Sequence, residues 1–205
     1  MIAVPAIQLV FASLLPVHAS DSNLSDADNT LILTSSALVL LMTPGLAFFY
    51  GGFTQAKNVL NTMAMSFVMM GIATLVWSIV GFSLAFSDGG ASNAFIGNPS
   101  TYAFLENLPG NWEGLRIPGL SFALFQGMFA IITPALISGA LVERISFRFW
   151  CFFTPIWILL VYTPLAHMVW GGGFLGKDLD FAGGTVVHIS SGVSALVLAG
   201  LVGSR

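Results

Sequence analysis

Charged residues are scarce in this sequence. Lysine, arginine, aspartate and glutamate make up 7% of the 205 residues, whereas they make up about a quarter of an ordinary soluble domain. Hydrophobic residues make up 56%. A soluble domain could not cover so many apolar side chains with so little polar surface. The composition therefore excludes a soluble globular protein and predicts an integral membrane protein.

Other absences narrow the function. The net charge is −3 and no cluster of basic residues exists, so nothing supports a nucleic-acid partner. The single cysteine, Cys151, cannot form an internal disulfide, and its aromatic neighbours predict a buried, unreactive thiol. There is no hydrolase motif, phosphate-binding loop or zinc-ligand spacing. The sequence thus predicts neither enzyme activity nor a metal or cofactor.

Five apolar stretches are each long enough to cross a bilayer, which requires about 20 helical residues. They cover approximately residues 30–51, 61–86, 119–141, 147–169 and 184–203. Prolines lie inside three of them, at positions 44, 134, 155 and 164. Such prolines are tolerated where neighbouring helices or a water-filled cavity satisfy the freed carbonyl groups. We therefore expect an all-α membrane protein with five packed transmembrane helices.

The N-terminus resembles a secretory signal peptide. Residues 1–19 are apolar, are shorter than a spanning helix and end in Val17-His18-Ala19 before Ser20, although the usual positive segment is missing. Residues 20–205 would then form a multi-pass domain of the cell membrane whose N-terminus is external. This orientation agrees with the positive-inside rule. It places Lys57, Arg144, Arg148 and Arg205 in the cytoplasm and only Arg116 and Lys177 outside.

Two histidines lie within or beside the apolar stretches. His167 is at the outer end of the fourth, where we expect it to pack at a half-wet boundary. His188 would lie about 12 Å deeper than Asp180 if the intervening segment were helical throughout. Gly192 and Ala195 fall near the same face, which therefore has little bulk. Two roles remain open for His188: a hydrogen bond between helices, or a pore-lining group that holds a small polar substrate or passes a proton.

Four further residues have both a structural and a functional interpretation. Asp180 could cap the fifth helix by accepting from the amides two or three residues further on, and could also attract a cation. Phe125 and Phe129 share a helix face, where aromatic pairs pack or act as gates. Trp170 could belong to the aromatic belt at the membrane surface or hold a cation over its ring.

Several segments together resemble the ammonium transporter family, the Amt/Mep/Rh proteins. The similar segments are "TPGLAFFYGG" followed by "KNVL", "FQGMFAIITPALISGALVERI", "PLAHMVWGGG" and "DFAGGTVVHISSGVSALVLAGLVGSR". They occur in the family's order, and the resemblance covers essentially everything after residues 1–19. The resemblance implies transport of ammonium or ammonia through the lipid bilayer.

The resemblance also implies roles for particular residues. Trp170 and Phe125 would line an external recruitment site for ammonium, and Asp180 would be mainly structural while helping in recruitment. Phe129 would be one ring of a phenylalanine gate, and His188 one of two pore histidines. Ammonium would lose its proton before or while entering the apolar pore, since a cation is costly there.

The same resemblance implies a longer assembly. The family has eleven spans, built from two five-span repeats of opposite orientation and a last helix. This chain corresponds to the first repeat, so we expect a non-conducting half that needs the second. A homotrimer and a cytoplasmic regulatory partner are also implied. The alternative functions are ammonium sensing and an intramembrane metalloenzyme, of which the latter lacks clustered ligands.

Overall fold

Five membrane-spanning helices make up most of the chain. The structure is a computed structural model that describes residues 24–176 and 180–204, so the predicted signal peptide lies outside the described residues. Within these ranges the regular elements are all helical. In chain order, the spans are α1 (Asp26–Gly51), α2 (Ala56–Phe86), α3 (Gly119–Leu141), α4 (Phe147–Trp170) and α5 (Gly184–Val202). Their length and apolar composition confirm the prediction of five spans.

The first two helices begin earlier than hydropathy predicts. α1 begins at Asp26 because the Ser25 hydroxyl accepts a hydrogen bond from the amide of Asp28 at 3.2 Å. The negative charges of the two aspartates in the first turn also interact favourably with the positive end of the helix dipole. α2 begins with a 3₁₀ turn, Ala56–Asn58, which contains the polar residues that hydropathy placed in a loop.

Buried tryptophans join the helices to one another. Each indole N–H donates to an acceptor on another helix, as a buried indole requires. The three bonds run from Trp77 to the carbonyl of Ala123 (3.0 Å), from Trp150 to the carbonyl of Met65 (2.8 Å) and from Trp157 to the hydroxyl of Ser194 (2.9 Å). They connect α2 with α3, α4 with α2, and α4 with α5. α3 is the most buried of the five helices.

Three helices contain a π turn. These turns are Trp77–Gly81 in α2, Ile158–Tyr162 in α4 and Gly184–Ile189 at the start of α5. The turn in α4 lies between the two prolines of that helix, Pro155 and Pro164. The rings of Trp77 and Tyr162 meet with centroids 6.1 Å apart, so the first two π turns face each other. Trp77 also lies against Gly127 of α3, where a methyl group would come within 3.0 Å of its ring.

The connection between α2 and α3 packs over one end of the bundle. Trp112 of this connection stacks on Phe122 of α3 with ring centroids 4.4 Å apart. Phe122 meets Phe86 of α2 at 5.1 Å, and Phe86 meets Trp112 at 6.1 Å. These aromatic contacts fix the end of the bundle that also contains Trp170.

Cys151 is less buried than predicted, because the residue is only half-buried. It lies on the outward side of α4, next to Phe152, which is 71% exposed. An exposed phenylalanine on a spanning helix is suited to contact with lipid.

Candidate functional site

Asp180 caps helix α5. Its carboxylate accepts three hydrogen bonds, from the amides of Gly184 (2.7 Å), Thr185 (2.8 Å) and Val186 (3.0 Å). The capping prediction is confirmed, but these three donors lie beyond the predicted Ala182 and Gly183; of those two, the amide of Gly183 adds a smaller contribution. The reason is Gly183, whose φ of +82° ends the extended segment and delays the first helical residue to Gly184.

The same geometry corrects the depth of His188. Residues 181–183 are not helical, so His188 lies only about 6 Å along the axis from the start of α5, at 1.5 Å per residue. This is about one turn, whereas a continuous helix from Asp180 would place His188 a little over two turns from that residue. His188 therefore lies much closer to the capped end of the helix than the sequence suggested.

Asp180 is held in its ionised form. Burial acts to raise the pKa of this carboxyl, but the hydrogen bonds from the amides of Val186, Thr185 and Gly184 together outweigh it, so the pKa lies below its ordinary value of 3.8. The negative charge therefore persists at neutral pH and is stabilised by the first turn of α5.

Trp170 is oriented by the same residue. Its indole N–H donates to the backbone carbonyl of Asp180 at 3.1 Å. Its ring makes an edge contact with Phe129 at 6.3 Å, and Phe129 makes one with Phe125 at 5.1 Å. The three predicted aromatic residues thus form one continuous set of rings beside Asp180.

His167 anchors the end of α4 rather than lying at a wet boundary. It is fully buried, and its imidazole bridges two backbone carbonyls. Nδ1 lies 3.0 Å from the oxygen of Ala85, and Nε2 lies 2.8 Å from the oxygen of Asn93. Gly171 lies against the same carbonyl of Ala85. These contacts attach the end of α4, and with it Trp170, to the end of α2.

The predicted recruitment residues surround one cavity. This space, the Trp170 cavity, has a volume of about 510 Å³. Its walls combine aromatic side chains with the segment that precedes α5. The lining consists of Phe86, Phe122, Phe125, Gln126, Phe129, Val169, Trp170, Gly176, Asp180, Phe181, Ala182 and Gly183.

A second, smaller cavity of about 180 Å³ contains His188. The other side chains of this His188 cavity are apolar. They are Met42, Leu46, Phe129, Ile132, Leu136, Ala182 and Val187. Phe129 and Ala182 line both cavities, so the ring of Phe129 lies at their boundary. His188 itself is exposed on the surface of the chain.

All five predicted site residues therefore line one or both of two neighbouring cavities that share Phe129 and Ala182. Sequence reasoning gave no role to Gln126, Phe86 or Phe122, which also line the Trp170 cavity. Gln126 could have been found from its position beside Phe125 on α3. Phe86 and Phe122 could not, because their place depends on how the connection between α2 and α3 packs.

The described part of the chain has no candidate metal site. Residues 24–176 and 180–204 contain no group of three or more His, Cys, Asp or Glu side chains that could hold an ion. The arrangement instead offers aromatic faces, an ionised cap and an apolar cavity around one imidazole.

Comparison with known proteins identifies the family. The model of the Ammonium Transporter Family matches residues 30–205. The chain belongs to the ammonium transporter family. It is 47% identical over 191 residues to an ammonium transporter from Aquifex aeolicus and 48% identical over 183 residues to one from Bacillus subtilis. The crystal structure of Candida albicans Mep2 superimposes with a TM-score of 0.82 at 33% identity.

This family member spans less than half the length of those relatives. The alignments cover 92% and 87% of this chain but 45% and 44% of the two ammonium transporters. They cover 95% of this chain and 42% of Mep2. The similarity to the ammonium transporter family, first indicated by the five sequence segments, is thereby confirmed over a half-length region with five spans.

Proposed function

We propose that the protein containing this chain conducts ammonium or ammonia across the cell membrane, with the Trp170 cavity facing outside. One observation carries the proposal: Phe129 lines both the Trp170 cavity and the His188 cavity. A substrate that reaches the aromatic rings is therefore one side chain away from the imidazole.

The Trp170 cavity is suited to recruiting a small cation. The rings of Trp170 and Phe125 can attract a cation through their π faces without removing all of its water. The carboxylate of Asp180 adds a negative potential, although its oxygens are occupied by the amides of α5. Recruitment thus depends mainly on the rings, and Asp180 mainly orients Trp170.

The His188 cavity is suited to the neutral form of the substrate. Apart from His188 its side chains are apolar, and a bare cation is costly in such surroundings. Ammonia is neutral, so it can pass Phe129, which acts as the gate, after the proton has left. A neutral imidazole both donates and accepts a hydrogen bond, so His188 can act as a partner for ammonia.

A complete pathway across the membrane requires a further part of the protein in addition to this chain. His188 is exposed on its surface, and the relatives are more than twice as long as the aligned region. We propose that a second repeat covers this face and contributes the opposing wall of the pore. A homotrimer, a cytoplasmic regulatory partner and cleavage of residues 1–19 as a signal peptide complete the proposal.

Uptake measurements test the proposed transport. The protein that contains this sequence is expressed in cells without ammonium transporters, and uptake of labelled methylammonium is followed over time. We expect saturable uptake that unlabelled ammonium inhibits competitively. Uptake no faster than in cells with an empty vector, despite protein in the membrane, would refute transport.

Replacing Trp170 with leucine is expected to weaken recruitment. The change removes a π face and the hydrogen bond to Asp180, and a cation–π contact contributes about 1 kcal/mol, so the half-saturating concentration should rise roughly fivefold. Initial uptake rates at several concentrations measure this. Phe152→Leu is the matched control because Phe152 is 71% exposed and lines neither cavity. Identical kinetics in Trp170→Leu and wild type would count against recruitment.

A further inference from the structure

The Trp170 cavity is lined by one polar side chain whose acceptor atom has no hydrogen-bond partner. Three of the described lining residues have polar side chains: Gln126, Trp170 and Asp180. The indole of Trp170 already donates to a carbonyl, and the carboxylate of Asp180 already accepts from three amides. The carboxamide oxygen of Gln126, in contrast, is shielded from solvent and has no hydrogen-bond partner.

An unpartnered, buried amide oxygen is unusual because its desolvation is not compensated. Gln126 lies on α3 between Phe125 and Phe129, the two rings that face the cavity. The last torsion of a glutamine side chain is broad and roughly two-fold, so the oxygen can turn toward the cavity without moving the helix. The unused acceptor therefore lies at the wall of the proposed recruitment site.

Ammonium needs such an acceptor. Aromatic faces attract its charge, but each N–H that leaves water also loses a hydrogen bond. An amide oxygen can accept one of these N–H groups, and hydrogen bonds that involve a charged partner are stronger than neutral ones. The rings would thus stabilise the charge of the ion, and the amide oxygen would replace one of its hydrogen bonds to water.

We propose that Gln126 is a substrate-contacting residue whose carboxamide oxygen accepts an N–H of ammonium while the cation lies against Trp170 and Phe125. This inference rests on the proposed transport function and adds a residue to its recruitment site. It assigns the directional part of recognition to Gln126, since the rings respond to charge and not to the direction of an N–H.

The test compares Gln126→Met with Gln126→Glu in the full transporter. Methionine has a similar length without an oxygen, so the half-saturating ammonium concentration should rise about tenfold. The maximal rate should remain unchanged, as expected when an interaction is equally present in ground and transition states. Glutamate keeps an acceptor at the same position and should not raise the half-saturating concentration.

Gln55→Leu serves as the control, since Gln55 is exposed and lies at the opposite end of the bundle from Trp170. Should Gln126→Met fail to reach the membrane, Gln126→Asn withdraws the same oxygen by one methylene and should also weaken binding. Unchanged half-saturation in Gln126→Met, or equal weakening in Gln126→Met and Gln126→Glu, would overturn the inference. Absence of uptake in the wild type would instead refute the proposed function.

Discussion

Replacing Gly171 with alanine is expected to prevent the protein from accumulating in the membrane. The added methyl group would lie 1.9 Å from the carbonyl oxygen of Ala85 and 2.9 Å from both Cα and Nδ1 of His167. Two of these neighbours are backbone atoms, so a side-chain rotation cannot relieve the overlap. Moving them apart would break the contact between His167 and Ala85 and separate the ends of α2 and α4. We expect a loss of at least about 3 kcal/mol of stability.

Fluorescence-detected size-exclusion chromatography of detergent extracts measures this effect, together with thermal unfolding of any protein recovered. Gly71→Ala is the matched control, because a methyl group at Gly71 would meet nothing within 4 Å. Gly71 lies inside a helix, where alanine is favoured over glycine by up to about 1 kcal/mol, so this control should be at least as stable as wild type. A Gly171→Ala protein with wild-type yield and unfolding temperature would contradict the close approach.

Replacing Asp180 with alanine should have the second largest effect. The change leaves three amides of the first turn of α5 without their acceptor and removes the charge that complements the helix dipole. We expect a loss of about 2 kcal/mol, the upper part of the range for helix caps. Because the Asp180 segment also holds the Trp170 indole, the half-saturating ammonium concentration should rise as well. Thermal unfolding and uptake kinetics of the same preparation separate the two effects.

The conservative variant Asp180→Asn gives a pH test. The pKa of Asp180 is lowered in the folded protein, so the ionised carboxyl stabilises the fold above its ordinary pKa of 3.8 and the benefit is lost as the pH falls through the lowered value. Wild type should therefore unfold at a higher temperature than Asp180→Asn at neutral pH, and the difference should shrink only below about pH 4. A constant difference down to strongly acidic pH would show that the charge is not the cause.

Much of the fold could be predicted because the membrane imposes simple rules on sequence. A span needs about 20 apolar residues, and all five were found within a few positions. The face shared by Phe125 and Phe129 follows from helical periodicity. The cap by Asp180 follows from the preference of aspartate for helix N-termini, although its exact donors do not.

The remaining features depend on contacts between distant segments. The burial of His167 arises because carbonyls of Ala85 and Asn93, more than 70 residues earlier in the chain, meet its ring nitrogens. The depth of His188 depends on the positive φ of Gly183, which postpones the helix start. The lack of a partner for the Gln126 oxygen depends on how α3 packs against its neighbours, while Trp170 and Asp180 bond to backbone groups.

The position of Phe129 between the two cavities has a consequence for timing. Helices that move as rigid bodies rearrange in microseconds to milliseconds, whereas exposed side chains change rotamer in picoseconds to nanoseconds. Among the described residues, Phe129 and Ala182 line both spaces, and the half-buried ring of Phe129 is braced by Phe125 and Trp170. In the proposed pathway we therefore expect the torsions of the Phe129 side chain, rather than movements of whole helices, to control passage between the two cavities.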